Sequence, residues 1–522
     1  MTWELAPTDT VAVIGAGTMG AGIAHVAAAA GHPVVLLDAV PGAVATALDQ
    51  LTVRLNRSVD KGRMSEHEAR SLIERIQPAD AVADLAPARL VIEAIVEDLA
   101  VKQQVLSDTA DVLADDAAIA TNTSSLSVTA IAGGVPRPER VAGMHFFNPA
   151  PVMPLVEVVS GALTDPAVAD ELVSVAEGWG KRPVRCTSTP GFIVNRVARP
   201  FYGESLRLLQ EGAADVATID AVVTGAGGFR MGPFALMDLV GLDVNLAVSR
   251  SVYEQTSHDS RFAPHVLQQA QVDAGRLGRK AGAGWYDYGP DAAEPVVATI
   301  EPGPRPQSVV EHGSLGWAHG IVGNLVAAGV EVDVVDGDGP GHLIVGGIHL
   351  VPTDGRTATE LAASATFGTT DIAVFDLVRD WAAARRIAVA VADQAGPHVP
   401  ADVAALFAAA GLDMVLVDDS PGLVLMRIVG QLASVAADAV HLGVADAGDI
   451  DIAMRLGTNY PAGPLEWADA LGPECVVAVL DELHRAYGEE RYRASLALRR
   501  AARSGGRLRP DQLNATNPSP AS

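Results

Sequence analysis

The sequence predicts an α/β protein in four parts, in which each of two sheet domains is followed by a helical domain. Strand-like and helical stretches alternate from about residue 9 to 185, and helical periodicity then takes over to about 295. Further strand-like runs follow, and the helical part then recurs. Alternating strands and helices are typical of a parallel sheet flanked by helices. The expected domains are 1–187, 188–295, 306–418 and 419–502, with a flexible tail at 503–522.

A glycine fingerprint follows the first strand. Residues 11–38 read VAVIGAGTMGAGIAHVAAAAGHPVVLLD, with Gly15, Gly17 and Gly20 in the pattern GxGxxG. These glycines permit a tight turn, a close approach of backbone N–H groups to a diphosphate, and packing of the next helix on the strand. Asp38 ends the second strand, where a carboxylate accepts hydrogen bonds from a ribose and repels a 2′-phosphate. A Rossmann domain that binds NAD is predicted, and a glycine-rich turn in an unrelated α/β protein is the alternative.

The remaining elements of the first domain follow in order. A helix is expected at 21–30 and a second strand at 33–37, followed by a polar helical insertion at about 42–78. Further strand-like runs lie at 90–95, 117–122 and 140–148.

Composition indicates a soluble enzyme. The formal net charge is −26, which argues against binding nucleic acid or an anionic membrane through bulk electrostatics. Cys186 and Cys475 give no disulfide framework, and no residue cluster suggests a metal site, so a reducing cytoplasm is expected. The N-terminus lacks the pattern of a signal peptide, and no apolar run approaches the length of a membrane span.

An internal repeat organises the rest of the chain. An offset of 231 residues superposes Ser188–Asp243 on Asp419–Glu474 without a gap, with twelve identical positions, which predicts two copies of one helical domain. Asn195 corresponds to Met426, so the second copy is expected to be non-catalytic. Residues 308–336 echo the N-terminal unit at an offset of 298, but Leu315 and Ala318 replace the second and third glycines of the fingerprint. A degenerate Rossmann-like α/β domain without a nucleotide is therefore expected.

A histidine and a glutamate lie in the segment MHFFNPAPVMPLVE at 144–157. When a hydride leaves a carbinol carbon, a base must take the hydroxyl proton, and a neutral imidazole suits reversible transfer at physiological pH. Glu157 can accept the other ring N–H of His145 and fix its tautomer. Together with the fingerprint, the pair predicts alcohol dehydrogenase chemistry. A buried, hydrogen-bonded core histidine is the alternative.

The motifs GAGTMGAGIA, EAIVEDLAVK, TNTSSLS, HFFNPAPVMPLVEVV, TPGFIVNR and GRKAGAGWYDY together resemble the L-3-hydroxyacyl-CoA dehydrogenase family. The resemblance is to the bacterial form with a second α/β region and a duplicated C-terminal domain. It covers residues 9–290 nearly continuously and returns in degenerate form at 420–500. It implies oxidation of a 3-hydroxyacyl thioester to the 3-oxoacyl thioester, with NAD as the hydride acceptor.

The resemblance also implies roles for individual residues. His145 is the base and Glu157 its partner, while Ser124 and Asn195 contact the oxygen that is oxidised; helix capping is the alternative for the last two. Several of the NAD contacts have a surface charge or polar loop residue as their alternative. The implied NAD contacts are Gly15, Gly17, Thr18, Met19, Gly20, Asp38, Glu97, Lys102, Asn148 and Lys280.

Basic residues are the expected counter-charges of the substrate. The helical insertion carries Arg54, Arg57 and Lys61, which suit the phosphates of coenzyme A, with a solvated helix face as the alternative. Many relatives carry an apolar residue in place of Arg199 and a proline in place of Arg230. These departures resemble the branch that oxidises 3-hydroxyadipyl-CoA, a dicarboxylyl thioester of phenylacetate breakdown; a short-chain 3-hydroxyacyl-CoA of fatty-acid metabolism is the alternative substrate. Arginine can bind a distal carboxylate bidentately; the alternative is that both arginines only brace helices by pairing with acids such as Asp238 or Glu204.

Two other functions remain open at this level. One is a sugar-acid (gulonate-type) NAD dehydrogenase on the same scaffold, and the other is a non-catalytic NAD-binding protein. The duplicated helical domain predicts an internal pseudo-dimer, in which the second copy covers the apolar face that single-copy relatives pair across a two-fold axis. A homo-oligomer of the whole chain is also possible.

Overall fold

A computed structural model describes residues 4–337, 339–364 and 366–509 of the chain. The tail predicted from residue 503 therefore lies largely outside the described residues. Among those residues, no helix is both long and apolar enough to cross a membrane.

The first α/β region is the predicted Rossmann domain. Its sheet has eight strands in the order β3-β2-β1-β4-β5-β6-β7-β8. In chain order its elements are β1 (Thr10–Ile14), α1 (Thr18–Ala29), β2 (Val34–Leu37), α2 (Ala43–Asp60), α3 (Glu66–Glu74), β3 (Ile76–Pro78), β4 (Ala88–Glu93), α4 (Leu99–Val112), β5 (Ala118–Thr121), α5 (Val128–Ala132), β6 (Val141–Phe146), β7 (Leu155–Ser160), α6 (Pro166–Gly178) and β8 (Arg182–Thr187).

Buried apolar side chains line both faces of this sheet. Val11 and Val13 of β1 belong to the core on one face, and Ala12 and Ile14 to the core on the other. Burial of both faces explains why β1 reads as an unbroken apolar run rather than an alternating one.

Three features of the first domain differ from the sequence prediction, and the first is that the end of the segment predicted as a helical insertion forms strand β3. The sheet is parallel except that β7 runs antiparallel to β6. The eight residues between these strands, 147–154, are too few for the dozen or more of a parallel crossover, so the chain reverses. Helix α1 begins at Thr18 rather than at residue 21, because Gly17 of the fingerprint is already its N-cap.

The first helical region follows. Its helices are α7 (Val194–Val197), α8 (Arg199–Glu211), α9 (Val216–Gly225), α10 (Pro233–Val240), α11 (Leu242–Gln255) and α12 (Val266–Asp273).

The second α/β region has a seven-stranded sheet in the order β10-β9-β11-β12-β13-β14-β15. Strands β9 and β10 are parallel, but β11 is antiparallel to both of its neighbours, so the sheet is mixed. Its elements are β9 (Ser308–His312), α13 (Gly320–Ala327), β10 (Glu331–Val335), β11 (His342–Val345), β12 (Ile348–Pro352), α14 (Ala358–Ala363), β13 (Ile372–Phe375), β14 (Arg386–Val391), α15 (Val399–Ala409) and β15 (Asp413–Leu416). The strand-like runs IAVFD at 372–376, IAVAVAD at 387–393 and MVLVDD at 414–419, which the sequence pattern predicts as strands, correspond to β13, β14 and β15.

The second helical copy packs against the first. Its helices are α16 (Leu425–His441), α17 (Ala447–Thr458), α18 (Pro464–Leu471), α19 (Pro473–Tyr487) and α20 (Leu496–Ser504). Helix α16 lies against α8, its counterpart in the repeat. Arg427 is fully buried, and its guanidinium contacts Glu204 at 2.9 Å and Glu211 at 2.8 Å. A buried cation is thus neutralised by two carboxylates of the other copy.

The chain groups into two compact units. The first comprises residues 1–195 and 442–458, and the second comprises 196–441 and 459–522. Helix α17 therefore belongs with the first sheet, although the repeat assigns it to the second helical copy. The four-part boundaries predicted from the sequence remain a proposal.

Candidate active site

His145 and Glu157 face each other across neighbouring strands. His145 on β6 pairs in register with Glu157 on β7, and Nδ1 lies 2.6 Å from Oε2. Directly opposed residues of antiparallel strands have adjacent side chains. Because a carboxylate only accepts hydrogen bonds, Nδ1 carries the proton and Nε2 is the basic nitrogen. Nε2 has no hydrogen-bond partner among the described residues. It is also absent from their fully buried polar atoms without a partner, so it is accessible and can accept a proton.

Backbone donors hold the other oxygen of Glu157. The N–H groups of Ile193 and Val194 donate to Oε1 at 3.0 and 2.9 Å. Glu157 is fully buried, and a buried carboxylate has to be hydrogen-bonded to remain charged. The glutamate therefore joins the start of α7 to His145 and fixes the orientation of the imidazole.

Two phenylalanines that the sequence analysis did not single out flank the imidazole. The ring centroids of Phe147 and Phe192 lie 4.6 and 5.9 Å from that of His145. Phe147 is part of the HFFNP motif and Phe192 of TPGFIVNR, so the motifs were the only available signal.

Ser124 and Asn195 are brought together. The side-chain amide of Asn195 donates to the Ser124 carbonyl at 3.4 Å. Helix capping does not explain either residue: Ser127 caps α5, and Asn195 lies inside α7. The hydroxyl of Ser124 forms no hydrogen bond within the described part of the chain.

Glu97 and Lys102 form a network beside Ser124. Glu97 accepts from the hydroxyl of Thr123 at 2.6 Å and from the Ser124 N–H at 2.9 Å. Burial would raise the pKa of Glu97, but these bonds and the Lys102 charge hold that pKa below its usual range. Lys102 is buried and contacts Glu93 at 2.6 Å and Glu97 at 3.2 Å, so its interpretation as a surface charge is wrong. Glu93 is a site residue that the sequence analysis missed.

The fingerprint fits a dinucleotide. Gly15 has a φ of +103°, and a Cβ on Gly20 would lie 1.8 Å from the carbonyl oxygen of Gly15, whereas a Cβ on Gly17 would meet nothing. Gly17 therefore opens onto free space, where a diphosphate can approach the backbone. A cleft of about 590 Å³ is bounded by Gly15, Gly17 and Asp38, with apolar walls that include Ile95. Asp38 accepts backbone N–H groups at 2.7 and 2.8 Å, which orients its carboxylate at this cleft.

The basic residues of α2 are exposed. Arg54 and Arg57 lie on α2 and Lys61 is its C-cap residue, and none of the three forms an ion pair with a described residue. Arg54 also borders a groove of about 560 Å³ that reaches Gly17 and Asp38. The structure thus places Arg54 next to the fingerprint. Asn148, another predicted cofactor contact, is exposed in the loop after β6.

Three predicted residues belong to the second unit. Lys280 donates to both oxygens of Asp243, at 2.6 and 2.7 Å. Arg230 is exposed in a cleft of about 430 Å³ that Arg279 also lines. The structure does not bring Arg230 together with Arg199, which is buried at the start of α8.

Arg199 is a buried cation without an anionic partner. It is 6% exposed, donates to the Ser249 hydroxyl at 3.0 Å and stacks over the Tyr202 ring. Its Nε is buried without a partner, and burial lowers the pKa of the guanidinium. Among the described residues no carboxylate pairs with it. The alternative in which Arg199 pairs with Asp238 or Glu204 is wrong, because Glu204 binds other arginines and Asp238 accepts backbone N–H groups.

The second half of the chain lacks this constellation. The 231-residue offset also relates β7 to β14, and it places Gly355, Asp376, Ala388 and Met426 at the positions of Ser124, His145, Glu157 and Asn195. Asp376 accepts the N–H groups of Val424 and Leu425 at 3.0 and 2.6 Å, the same two helix-start donors that Glu157 binds in the first copy. The second half thus keeps a carboxylate that binds the N–H groups at the start of the helix, but it has no counterpart of the base His145.

Comparisons with known proteins identify the family of each region of the chain. Residues 10–189 match the NAD binding domain of 3-hydroxyacyl-CoA dehydrogenase, and residues 191–288 and 422–511 both match its C-terminal domain. Residues 350–421 match the 3-hydroxybutyryl-CoA dehydrogenase reduced Rossmann-fold domain.

Individual relatives show the same similarity. An Escherichia coli 3-hydroxyadipyl-CoA dehydrogenase is 41% identical over 95% of this chain and 97% of its own. A crystal structure titled 3-hydroxybutyryl-CoA dehydrogenase, also from E. coli, covers 95% of this chain and 99% of its own, with 40% identity and a TM-score of 0.87. A Clostridioides difficile 3-hydroxybutyryl-CoA dehydrogenase is 39% identical over 53% of this chain and 99% of its own.

Proposed function

The chain belongs to the 3-hydroxyacyl-CoA dehydrogenase family, and on that premise we propose that its preferred substrate is a 3-hydroxyacyl-CoA whose acyl chain ends in a second carboxylate. The chain is an NAD-dependent oxidoreductase that converts 3-hydroxyacyl-CoA to 3-oxoacyl-CoA. No observation favours a sugar-acid substrate or a non-catalytic role.

We propose His145 as the base of this reaction. Bound NAD supplies the acceptor for the hydride that leaves C3. As the hydride leaves, Nε2 of His145 takes the proton of the C3 hydroxyl, and the charge that forms on the imidazole is stabilised by Glu157 at 2.6 Å. The supporting observation is the contact of Glu157 with Nδ1. Because Glu157 accepts the Nδ1 proton, Nε2 is the nitrogen that is free to accept the substrate proton.

Ser124 and Asn195 are proposed to act on the reacting oxygen. The Ser124 hydroxyl has no partner within the described residues and can donate to that oxygen as negative charge develops. The Asn195 amide, 3.4 Å from the Ser124 carbonyl, fixes the position of the serine backbone. Glu97 holds the same backbone through the Ser124 N–H.

The basic face of α2 is the proposed contact for coenzyme A. Arg57 and Lys61 are exposed and have no carboxylate partner among the described residues. Uncompensated cations on a chain with a net charge of −26 form a local counter-surface for phosphate groups. Arg54, which borders the fingerprint groove, is suited to a phosphate of either ligand.

Arg199 carries the proposal of a dicarboxylyl substrate. Removing a guanidinium from water without an anionic partner is costly, and a substrate carboxylate would offset that cost. Arg199 follows Asn195 by four residues in the chain. The E. coli relative named 3-hydroxyadipyl-CoA dehydrogenase agrees with this substrate class. Arg230 remains a weaker candidate, because an exposed guanidinium has no comparable need for a counter-charge.

Initial rates on matched substrates test this proposal. We expect kcat/KM for 3-hydroxyadipyl-CoA to exceed that for 3-hydroxyhexanoyl-CoA, which has the same chain length without the carboxylate. Arg199→Met should lower the former about 10- to 100-fold, the worth of a charged hydrogen bond, with less effect on the latter. The variant should also keep or raise the melting temperature, because it removes an unpaired buried charge.

Arg230→Met is the matched control and should leave the substrate ratio unchanged. A preference for 3-hydroxyhexanoyl-CoA that Arg199→Met does not alter would refute the dicarboxylyl substrate and leave the dehydrogenase assignment intact.

A further inference from the structure

Helix α17 of the second helical copy packs on the strands beside the His145–Glu157 pair. Within the first unit it contacts β7, which carries Glu157, and β8 at the edge of the sheet. The carboxylate of Asp449 accepts the Arg185 N–H at 2.9 Å, and the Val444 carbonyl accepts the Thr187 N–H at 2.9 Å. These bonds attach the segment 444–449 to the free edge of β8.

Gly457, near the end of α17, is the point of closest approach. A Cβ at this position would lie 2.8 Å from Cδ2 of Leu155 and 3.0 Å from Cγ2 of Val194. It would lie 3.6 Å from the ring of Phe147. Leu155 and Val194 are buried and Phe147 is half-buried, so a larger residue at 457 has to displace the Leu155 methyl group or the Val194 side chain within a packed core.

Each of these neighbours adjoins the proposed proton-transfer pair. Leu155 precedes Glu157 by two residues on β7, so both side chains lie on the same face of the strand. The Val194 N–H donates to Oε1 of Glu157, and the Phe147 ring packs on the imidazole of His145. One glycine of the second copy therefore lies against three residues that adjoin the His145–Glu157 pair, and two of them, Val194 and Phe147, contact the pair directly.

We propose that α17 is a positioning element of the active site and that Gly457 is its positioning residue. The second helical copy has no base of its own, but it holds the base of the first copy in place. This proposal rests on the roles proposed above for His145 and Glu157. It gives the second copy a function in turnover in addition to covering apolar surface.

The corresponding helix of the first copy makes the reciprocal contact in the second unit. Helix α9 packs on β14, where a Cβ on Gly225 would lie 2.9 Å from Cβ of Arg386. The Gly225 carbonyl accepts the Arg385 N–H at 3.0 Å. Asp376 and Ala388 occupy the positions that correspond to His145 and Glu157, so this contact adjoins no equivalent of the proposed proton-transfer pair. The 231-residue offset pairs Gly457 with Ala226 rather than with Gly225, so the two helices share the mode of packing, and only the contact of α17 adjoins the His145–Glu157 pair.

Substitutions at Gly457 in the full-length chain test the proposal. Gly457→Val should lower kcat about 10- to 100-fold, the effect of displacing a reacting group by less than about 1 Å, with KM for NAD and NADH affinity unchanged. Gly457→Ala should lower kcat less. The helix preference of alanine offsets part of the overpacking cost of its Cβ, so the melting temperature is measured beside kcat, and a loss of kcat at an unchanged melting temperature reports positioning rather than unfolding.

Two further variants complete the design. Gly448→Ala lies on the same helix at a position where a Cβ meets nothing, and it should keep wild-type kcat. Leu155→Val shortens the side chain closest to position 457, so the double variant with Gly457→Ala should regain kcat relative to Gly457→Ala.

Three outcomes overturn the proposal: unchanged kcat in Gly457→Ala, no recovery in the double variant, or a fall in NADH affinity that parallels the fall in kcat. If Gly457→Val does not fold, Gly457→Ala and its double variant decide. His145→Ala is assayed in parallel, because an active His145→Ala enzyme would mean that the assignment of the base, rather than the role of α17, has failed.

Discussion

At the scale of single residues, the site depends on how each charge is compensated. Glu157 is buried but binds two backbone N–H groups and one imidazole. Arg427 is buried but binds two carboxylates. Arg199 is buried with only a hydroxyl and an aromatic ring as partners, and it is the residue for which the structure leaves a counter-charge to be supplied.

Replacement of His145 by alanine should abolish turnover. Without the imidazole no group takes the C3 hydroxyl proton, and loss of a general base costs about 100- to 10,000-fold in rate. NADH affinity, measured by fluorescence titration, should survive, because the fingerprint cleft is lined by the ends of β1 and β2 and by residues 94–96 after β4, and not by His145. Ser127→Ala is the control, since Ser127 caps α5 and has no proposed role in the reaction. A His145→Ala enzyme with substantial activity would remove histidine from the mechanism.

At the scale of elements, helix termini connect secondary structure to the site. The start of α7 is bound by Glu157, and its counterpart α16 is bound by Asp376, so each half of the chain supplies a carboxylate from its sheet to the same helix start. A carboxylate at this place is favoured by the unpaired N–H groups of a helix N-terminus. In the first half the same carboxylate also orients a base.

Helix α1 carries a second testable property, the pH dependence of stability through His25. Burial and the nearby charges of Arg54 and Lys181 lower the pKa of His25 to about 4. In the unfolded chain the pKa of His25 is about 6.5, so between pH 6.5 and pH 4 the unfolded chain binds a proton that the folded protein does not. The stability that is present above about pH 6.5 is therefore lost as the pH falls toward 4.

His25→Gln should therefore reduce the loss of unfolding free energy between pH 7.5 and pH 5 by about 2 kcal/mol. Urea unfolding of wild type and variant at both pH values measures the difference. His67→Gln, at an exposed position on α3, should behave like wild type. Equal losses in wild type and His25→Gln would contradict the assignment.

At the scale of the whole molecule, the duplication produces two helical copies that cover each other. Phe201 and Leu208 of α8 are fully buried in the unit that contains α16, and Glu204 is buried with Arg427 and Arg491 of the second copy. A 53.9 kDa chain thus contains, within one polypeptide, the contact that we expect single-copy relatives to make between subunits.

Truncation after residue 300 should expose that contact. The fragment loses α16, which leaves an apolar face and the unpaired Glu204 on α8, so we expect dimers or aggregates. Size-exclusion chromatography with light scattering measures the mass of the fragment against that of the full chain. The fragment also lacks α17, so its kcat should fall even where a dimer forms without an equivalent helix. A well-behaved monomeric fragment with full activity would contradict both expectations.

Local pattern was enough to predict much of this protein. The glycines of the fingerprint, the 231-residue offset and the MHFFNPAPVMPLVE segment predicted the two sheet regions, the duplicated helices and the His145–Glu157 pair. These features depend on backbone conformation, periodicity and pairing between strands that are close in sequence, which are encoded over short stretches.

Only tertiary structure decided the rest, because contacts between distant residues leave no local pattern. The reversal of β7, the burial of Lys102 against Glu93 and the lack of an anion beside Arg199 all depend on which chain segments meet. The placement of Gly457 against Leu155 and Val194 joins residues about 300 and 260 positions apart. In the sequence Gly457 is only a glycine within a helix, and its role cannot be inferred without these neighbours. Sequence thus determined the chemistry of the site, and packing decided which segments hold that site in place.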